Sequence, residues 1–145
     1  MKRPILLSFM IVFILPYSYS QKYKLGDKAE GGIIIEANKK SGIVVSETVL
    51  GLLNWDEGKK ACEEFELNGY NDWKLPSLSD LSVTFYVFYL KGKIILPAGF
   101  YWSRFENTGI RQLAWSFDFI DGQQYNSHPK ANKKYILPVR TYSLK

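Results

Sequence analysis

Two helix-capping signatures lie close together, either side of a tryptophan-bearing turn, and they leave the chain few ways to fold between residues 54 and 81. Asn54 precedes Trp55-Asp56-Glu57, so its side chain can accept from the first-turn N–H groups while Glu57 reaches back to the Asn54 N–H. Asp56 and Glu57 also sit where the helix dipole favours negative charge. Gly58, Ala61, Cys62 and Phe65 then recur at helical spacing on one face. Asn68-Gly69 supplies a left-handed stop. Ser77 with Asp80 repeats the capping logic directly after Pro76, which would end any preceding strand. The reading is helix, turn, short strand, helix.

The second helix carries Leu78, Leu81, Phe85 and Phe88 on one face and should end near Lys91-Gly92. Its run Val83-Thr84-Phe85-Tyr86-Val87-Phe88-Tyr89 is β-branched and aromatic, so local propensity alone would equally support a buried strand. The remaining elements read as strands. Gln21 to Glu30 is a loose arm or first strand, and Gly32–Glu36 with Gly42–Ser46 forms a hairpin. Ile94 to Ala98 is a connector, and Phe100–Arg104 is a core strand. In Leu113–Ile120, Trp115, Phe117 and Phe119 alternate with Ser116 and Asp118. Asp121-Gly122 suits a type I′ turn into a return strand at Gln123–Tyr125. Tyr135–Arg140 closes the fold, with Pro138 requiring an edge or a bulge.

These segments carry a resemblance. Trp55, Ala61-Cys62, Gly69-Tyr70 and Asn71-Asp72-Trp73-Lys74-Leu75-Pro76 resemble the signature of the Lcl C-terminal domain family, named for a Legionella collagen-like protein. Gly31-Gly32, Tyr101-Trp102-Ser103, Ala114-Trp115, Asp121-Gly122 and Val139-Arg140 extend the likeness over nearly the whole chain after residue 30. Arg104 departs from the small polar residue usual after Tyr101-Trp102-Ser103. The resemblance implies an α+β, C-type lectin-like fold, with two helices packed on a twisted antiparallel sheet. It also implies kinship with formylglycine-generating enzymes, which rely on a cysteine pair. Cys62 is the only cysteine, so no internal disulfide is possible, and an enzyme of that group is the least expected reading. Its place on the apolar face of the first helix reads as a small buried hydrophobe.

Residues 1–20 read as a signal peptide. Lys2 and Arg3 begin it, Ile5–Leu15 is apolar apart from Ser8, and Ser18 and Ser20 provide small residues before a cleavage point ahead of Gln21. The run falls short of the roughly 20 residues a membrane span needs, so residues 21–145 are expected as one exported domain without a span, periplasmic, cell-surface or secreted. The net charge of +5 is mild and falls once Lys2 and Arg3 leave. No dense basic stripe with interleaved aromatics points to nucleic acid. Lys130, Lys133 and Lys134 read as a solvated loop.

No nucleophile elbow or zinc-binding helix motif is present, and His128, the only histidine, reads as a loop residue. Asp72 superficially resembles part of a lectin calcium motif, but the order Asn71-Asp72-Trp73 differs and convergent oxygen ligands are lacking. The chain is therefore expected to be a non-enzymatic binding module without metal or cofactor. The loop from Ser103 to Arg111 is the candidate site. Arg104 and Arg111 can clamp carboxylate or sulfate bidentately, with Glu106 and the aromatics Trp102 and Tyr125 adjoining. The expected partner is an extracellular glycan or other acidic polymer; the alternative is an envelope protein, in an interaction or structural role.

Overall fold

The computed structural model describes residues 21–144. The signal peptide expected at 1–20 lies outside the described residues. Both capping boxes form as the sequence requires. Asn54 Oδ1 accepts from the Glu57 N–H at 2.9 Å and Glu57 Oε2 from the Asn54 N–H at 3.1 Å, opening α1 (Trp55–Glu64). Ser77 Oγ accepts from the Asp80 N–H at 3.0 Å and Asp80 Oδ2 from the Ser77 N–H at 2.7 Å, opening α2 (Leu78–Val83).

Helix α1 ends earlier than Asn68-Gly69. Phe65 is already extended, its N–H donating to the Cys62 carbonyl. Asn68 and Gly69 do take left-handed conformations, with φ of 53° and 81°, but they close a separate turn in which Leu67 and Tyr70 exchange both backbone hydrogen bonds. Helix α2 settles the strand-or-helix ambiguity by widening. From Thr84 to Tyr89 it continues as a π-helix, and Leu90 and Lys93 donate to the carbonyls five residues back, of Phe85 and Phe88. The wider turn relieves crowding among the β-branched and aromatic residues and keeps Phe85 and Phe88 both buried.

The strands are β1 (Lys28–Ala29), β2 (Gly32–Ala37), β3 (Ser41–Val45), β4 (Leu52–Leu53), β5 (Phe100–Glu106), β6 (Leu113–Asp118), β7 (Gln124–Pro129), β8 (Lys134–Tyr135) and β9 (Val139–Ser143). They make two sheets rather than the single antiparallel one expected. One has the order β1-β2-β3-β9; the other has the order β4-β8-β5-β6-β7. The second is mixed, because β5 and β8 pair in parallel at Tyr101 and Tyr135. The expected closing strand Tyr135–Arg140 is divided. Its start belongs to the second sheet, its end to the first, and Ile136-Leu137-Pro138 crosses between them. At the crossing the Pro138 carbonyl accepts from Ser46, and no ladder donor is missed.

Three clusters of buried side chains hold these layers together. Leu81, Phe85, Phe88, Tyr101, Phe117, Phe119, Leu137 and Val139 join α2 to both sheets. Trp55, Cys62, Leu75, Trp102 and Ile136 lie under α1. Ile34, Val44, Trp73 and Tyr142 cover the other face of the first sheet, which is why β2 reads as an unbroken apolar run. Each large side chain so enclosed contributes about 1.5–3 kcal/mol. Gly58 lets α1 approach: a Cβ there would fall 2.2 Å from Ile136 Cδ1.

The β6–β7 hairpin forms, but not through a type I′ turn. Gly122 is left-handed with φ of 73° while Asp121 is not, and Asp118 donates across a longer loop to Gln123. A bulge between Ala114 and Ser116 also upsets the expected alternation. Trp115 is only half-buried, whereas Ser116 and Asp118 are buried along with Phe117 and Phe119.

Candidate functional site

Helix α1 carries a stripe of Trp55, Lys59 and Glu63 at four-residue spacing, so all three side chains share one face. Trp55 anchors that face by donating its indole N–H to the Ser103 carbonyl of β5 at 2.8 Å. The segment Lys74-Leu75-Pro76 runs alongside: Lys74 exchanges both backbone hydrogen bonds with Val139, and the Pro76 carbonyl accepts from the Arg104 N–H at 2.8 Å. Between these three pieces of chain lies a concavity of about 230 Å³, lined by Trp55, Lys59, Glu63, Lys74, Leu75, Arg104 and Glu106.

Its floor is apolar, because Trp55 and Leu75 are both buried. Its rim is charged. Lys130 donates to Glu106 at 2.6 Å and lays its ammonium 4.4 Å from the centre of the Trp55 ring. That hydrogen bond from Lys130 is the main reason the Glu106 carboxyl is held below the usual carboxylate range. Lys59 lies 5.9 Å from the same ring. Lys74 donates to Thr141 Oγ1 at 3.1 Å. Arg104 is exposed; its guanidinium rests 5.1 Å from the Phe105 ring, and it makes no ion pair among the described residues. Glu106 is already matched by Lys130, so Lys59, Lys74 and Arg104 face Glu63 alone. The groove carries net positive charge over an aromatic floor.

Of the residues expected at the site, Arg104 and Glu106 meet in this groove. Arg111 lies beyond the turn that follows β5, exposed and close enough for its charge to act on Glu106. Asn107 fixes that turn, accepting from the Gly109 and Ile110 N–H groups and donating to the Asn126 carbonyl. Trp102 is fully buried, with its indole donating to the Leu53 carbonyl, so it has no face for a ligand. Tyr125 lies on β7, its hydroxyl donating to Asp121 at 2.6 Å and its ring stacked on His128, and it does not line the groove.

The lysine loop is not uniformly solvated. Lys134 is buried, its ammonium 4.2 Å from the Phe100 ring centre and 5.0 Å from that of Trp102. Burial pushes its pKa down. His128 is on strand β7 rather than in a loop. Its Nδ1 shares a 2.6 Å hydrogen bond with Ser116 Oγ, and burial, with Lys134 nearby, lowers its pKa. Cys62 is buried and its thiol is pushed up to about 12, which suppresses the thiolate. Asp72 gives its carboxylate to Arg140, with Nε–Oδ1 at 2.6 Å.

The sequence matches the family model of the Lcl C-terminal domain over residues 37–140. The chain belongs to the Lcl C-terminal domain family. Every residue lining the groove falls inside the Lcl C-terminal domain match, and so do both capping boxes. Strands β1, nearly all of β2 and the end of β9 lie outside it, although they complete the first sheet. No curated protein matches the chain significantly.

Proposed function

We propose that this chain is an exported, non-enzymatic binding module of C-type lectin-like organisation that engages a glycan or another acidic polymer in the groove between α1 and β5. The observation that carries this reading is the exposed Arg104 guanidinium, unpaired among the described residues and set beside Lys59 and Lys74 above the Trp55–Leu75 floor. An unpaired guanidinium on a rigid strand can take a carboxylate or sulfate bidentately, and Arg111 extends the positive track along a chain of repeating charges.

The test is a binding array of the purified protein against sulfated, carboxylated and neutral glycans at several salt concentrations. Saturable binding to the acidic members, weakening steeply with salt, and a loss of about tenfold or more in Arg104→Ala/Arg111→Ala, supports the reading; that loss corresponds to one charge-assisted hydrogen bond. Unchanged affinity in the double variant removes the groove from the site.

A further inference from the structure

The end of the domain formed by the π-helix has a different surface. Tyr86, Leu90, Ile95 and Ile120 are 48%, 59%, 94% and 71% exposed, half of the large apolar side chains that the described residues leave in water. Three hydrogen bonds gather their segments. Lys93 donates to the Phe88 carbonyl at 2.8 Å, Phe119 to Gly99 at 2.8 Å, and the Tyr86 hydroxyl to Gly122 at 3.1 Å. These exposed side chains are therefore presented on a stiff framework; none lies in a loose tail.

Positive charge predominates around them. From Leu81 to Phe105 the sequence contains no Asp or Glu, while Lys91 and Lys93 stand exposed between Leu90 and Ile95. Asp118 and Asp121 flank Ile120, and Asp121 is an exposed carboxylate at the edge of the patch. Asp118 is buried and accepts from the Ile120 N–H, and Asp121 accepts from the Gln123 N–H and the Tyr125 hydroxyl.

We infer that this end docks on the surface of a lipid bilayer bearing anionic headgroups, with Leu90, Ile95 and Ile120 entering the headgroup–acyl boundary and Lys91 and Lys93 meeting the lipid phosphates. Charge complementarity selects this occupant. A second copy would bring the same net positive charge to the contact, whereas an anionic surface neutralises it. Ile95 stands almost wholly clear of its neighbours, a shape that a fluid hydrocarbon boundary accepts without a matching rigid pocket. Tyr86, apolar in its ring and polar at its tip, suits the headgroup level. This surface shares no residue with the α1–β5 groove, so the two readings stand or fall separately.

The experiment is co-sedimentation of the Gln21–Lys145 chain, which holds all three buried clusters and lacks the apolar Ile5–Leu15 run, with vesicles of phosphatidylcholine alone or with 30% phosphatidylglycerol (about the anionic content that gives a strong surface potential). Binding is expected only to the anionic vesicles, reduced about fivefold or more by Ile95→Asp or Ile120→Asp and by Lys91→Glu/Lys93→Glu. These positions are exposed, and unchanged thermal unfolding of each variant confirms the fold. Arg104→Ala should leave vesicle binding intact. The inference is overturned if anionic vesicles do not bind, if binding survives Ile95→Asp and Ile120→Asp, or if the wild type instead forms a dimer that Ile95→Asp dissociates.

Discussion

Arg140 and Arg104 are the same residue type beside similar neighbours, and their surroundings give them opposite uses. The Arg140 side chain is 8% exposed. It holds Asp72 through two nitrogens, donates to the Glu30 carbonyl at 2.8 Å and stacks its guanidinium 3.8 Å from the Tyr70 ring centre. Glu30 is held in turn by the hydroxyls of Tyr23 and Tyr70. Such a cluster ties β9 to the N-terminal arm and keeps the guanidinium buried against its own partners. Arg104 also has an aromatic neighbour, yet it is exposed, and Glu106, which lines the same groove, is taken by Lys130. The comparison separates an arginine that holds the fold from one that can hold something else.

The largest effect should come from breaking the buried side. Arg140→Met leaves Asp72 and Glu30 without their cation and should cost about 3 kcal/mol, the low end for losing one partner of a buried pair because the Asp72 side chain is 53% exposed. Chemical denaturation measures it. The hydrogen bond from Arg140 lowers the Asp72 pKa below the ordinary 3.8. The contribution of Asp72 is therefore present above pH 3.8 and disappears as the pH falls through its lower folded value, so the variant should also show a shallower acid transition. Groove binding should survive below the unfolding transition. Lost binding with intact stability would reverse the two roles.

Next in size is Gly58→Ala. In an exposed helix the change would gain up to about 1 kcal/mol. Here the new Cβ would fall on Ile136, which is fully buried, so a net loss of about 1–2 kcal/mol is expected from overpacking. Because α1 must lift, Lys59 and Trp55 move with it, and ligand affinity should fall together with stability. Arg104→Ala makes the contrasting case: a change in unfolding free energy within about 0.5 kcal/mol, with the binding loss given above. A large stability loss in Arg104→Ala would place it with Arg140.

The sequence was most legible where interactions are local. Both capping boxes and the β2–β3 hairpin need only residues three to twelve apart, and they form where the residue pattern puts them. The π-helical turn was visible only as a conflict, since helical spacing and β-branched aromatic composition disagreed over Val83–Tyr89. Longer pairings were hidden. That Tyr135–Arg140 serves two sheets depends on β8 finding β5 and β9 finding β3, which no local pattern states. The groove was half readable. Arg104 and Glu106 fall in the Ser103–Arg111 stretch that read as a surface loop, but the structure makes Ser103–Glu106 the end of strand β5, and Lys59 and Lys74 join them only after α1 and the Lys74–Val139 bridge are in place. The Trp55-Lys59-Glu63 stripe was the available signal. Trp102 and Lys134 misled together: Trp102 joins the core under α1, and β8 sets the Lys134 ammonium over the Phe100 and Trp102 rings, so both residues are buried.

The smallest effect tests whether the comparison extends to the cluster of Ser116, His128 and Lys134. His128 accepts or donates at Ser116 Oγ, stacks on Tyr125 and has Lys134 nearby. Its folded pKa lies below the ordinary 6.5, so the unfolded chain takes up the proton more readily. Stability is then full above pH 6.5 and declines as the pH falls below it. His128→Gln keeps a hydrogen-bonding group for Ser116 and should remove this decline, as followed by denaturation at several pH values. Affinity in the groove should not change over the same range, because His128 does not line it. A binding affinity that titrates with His128 would mean that this cluster communicates with the ligand, and the division between arginines that hold the fold and residues that bind would have to be redrawn through β7.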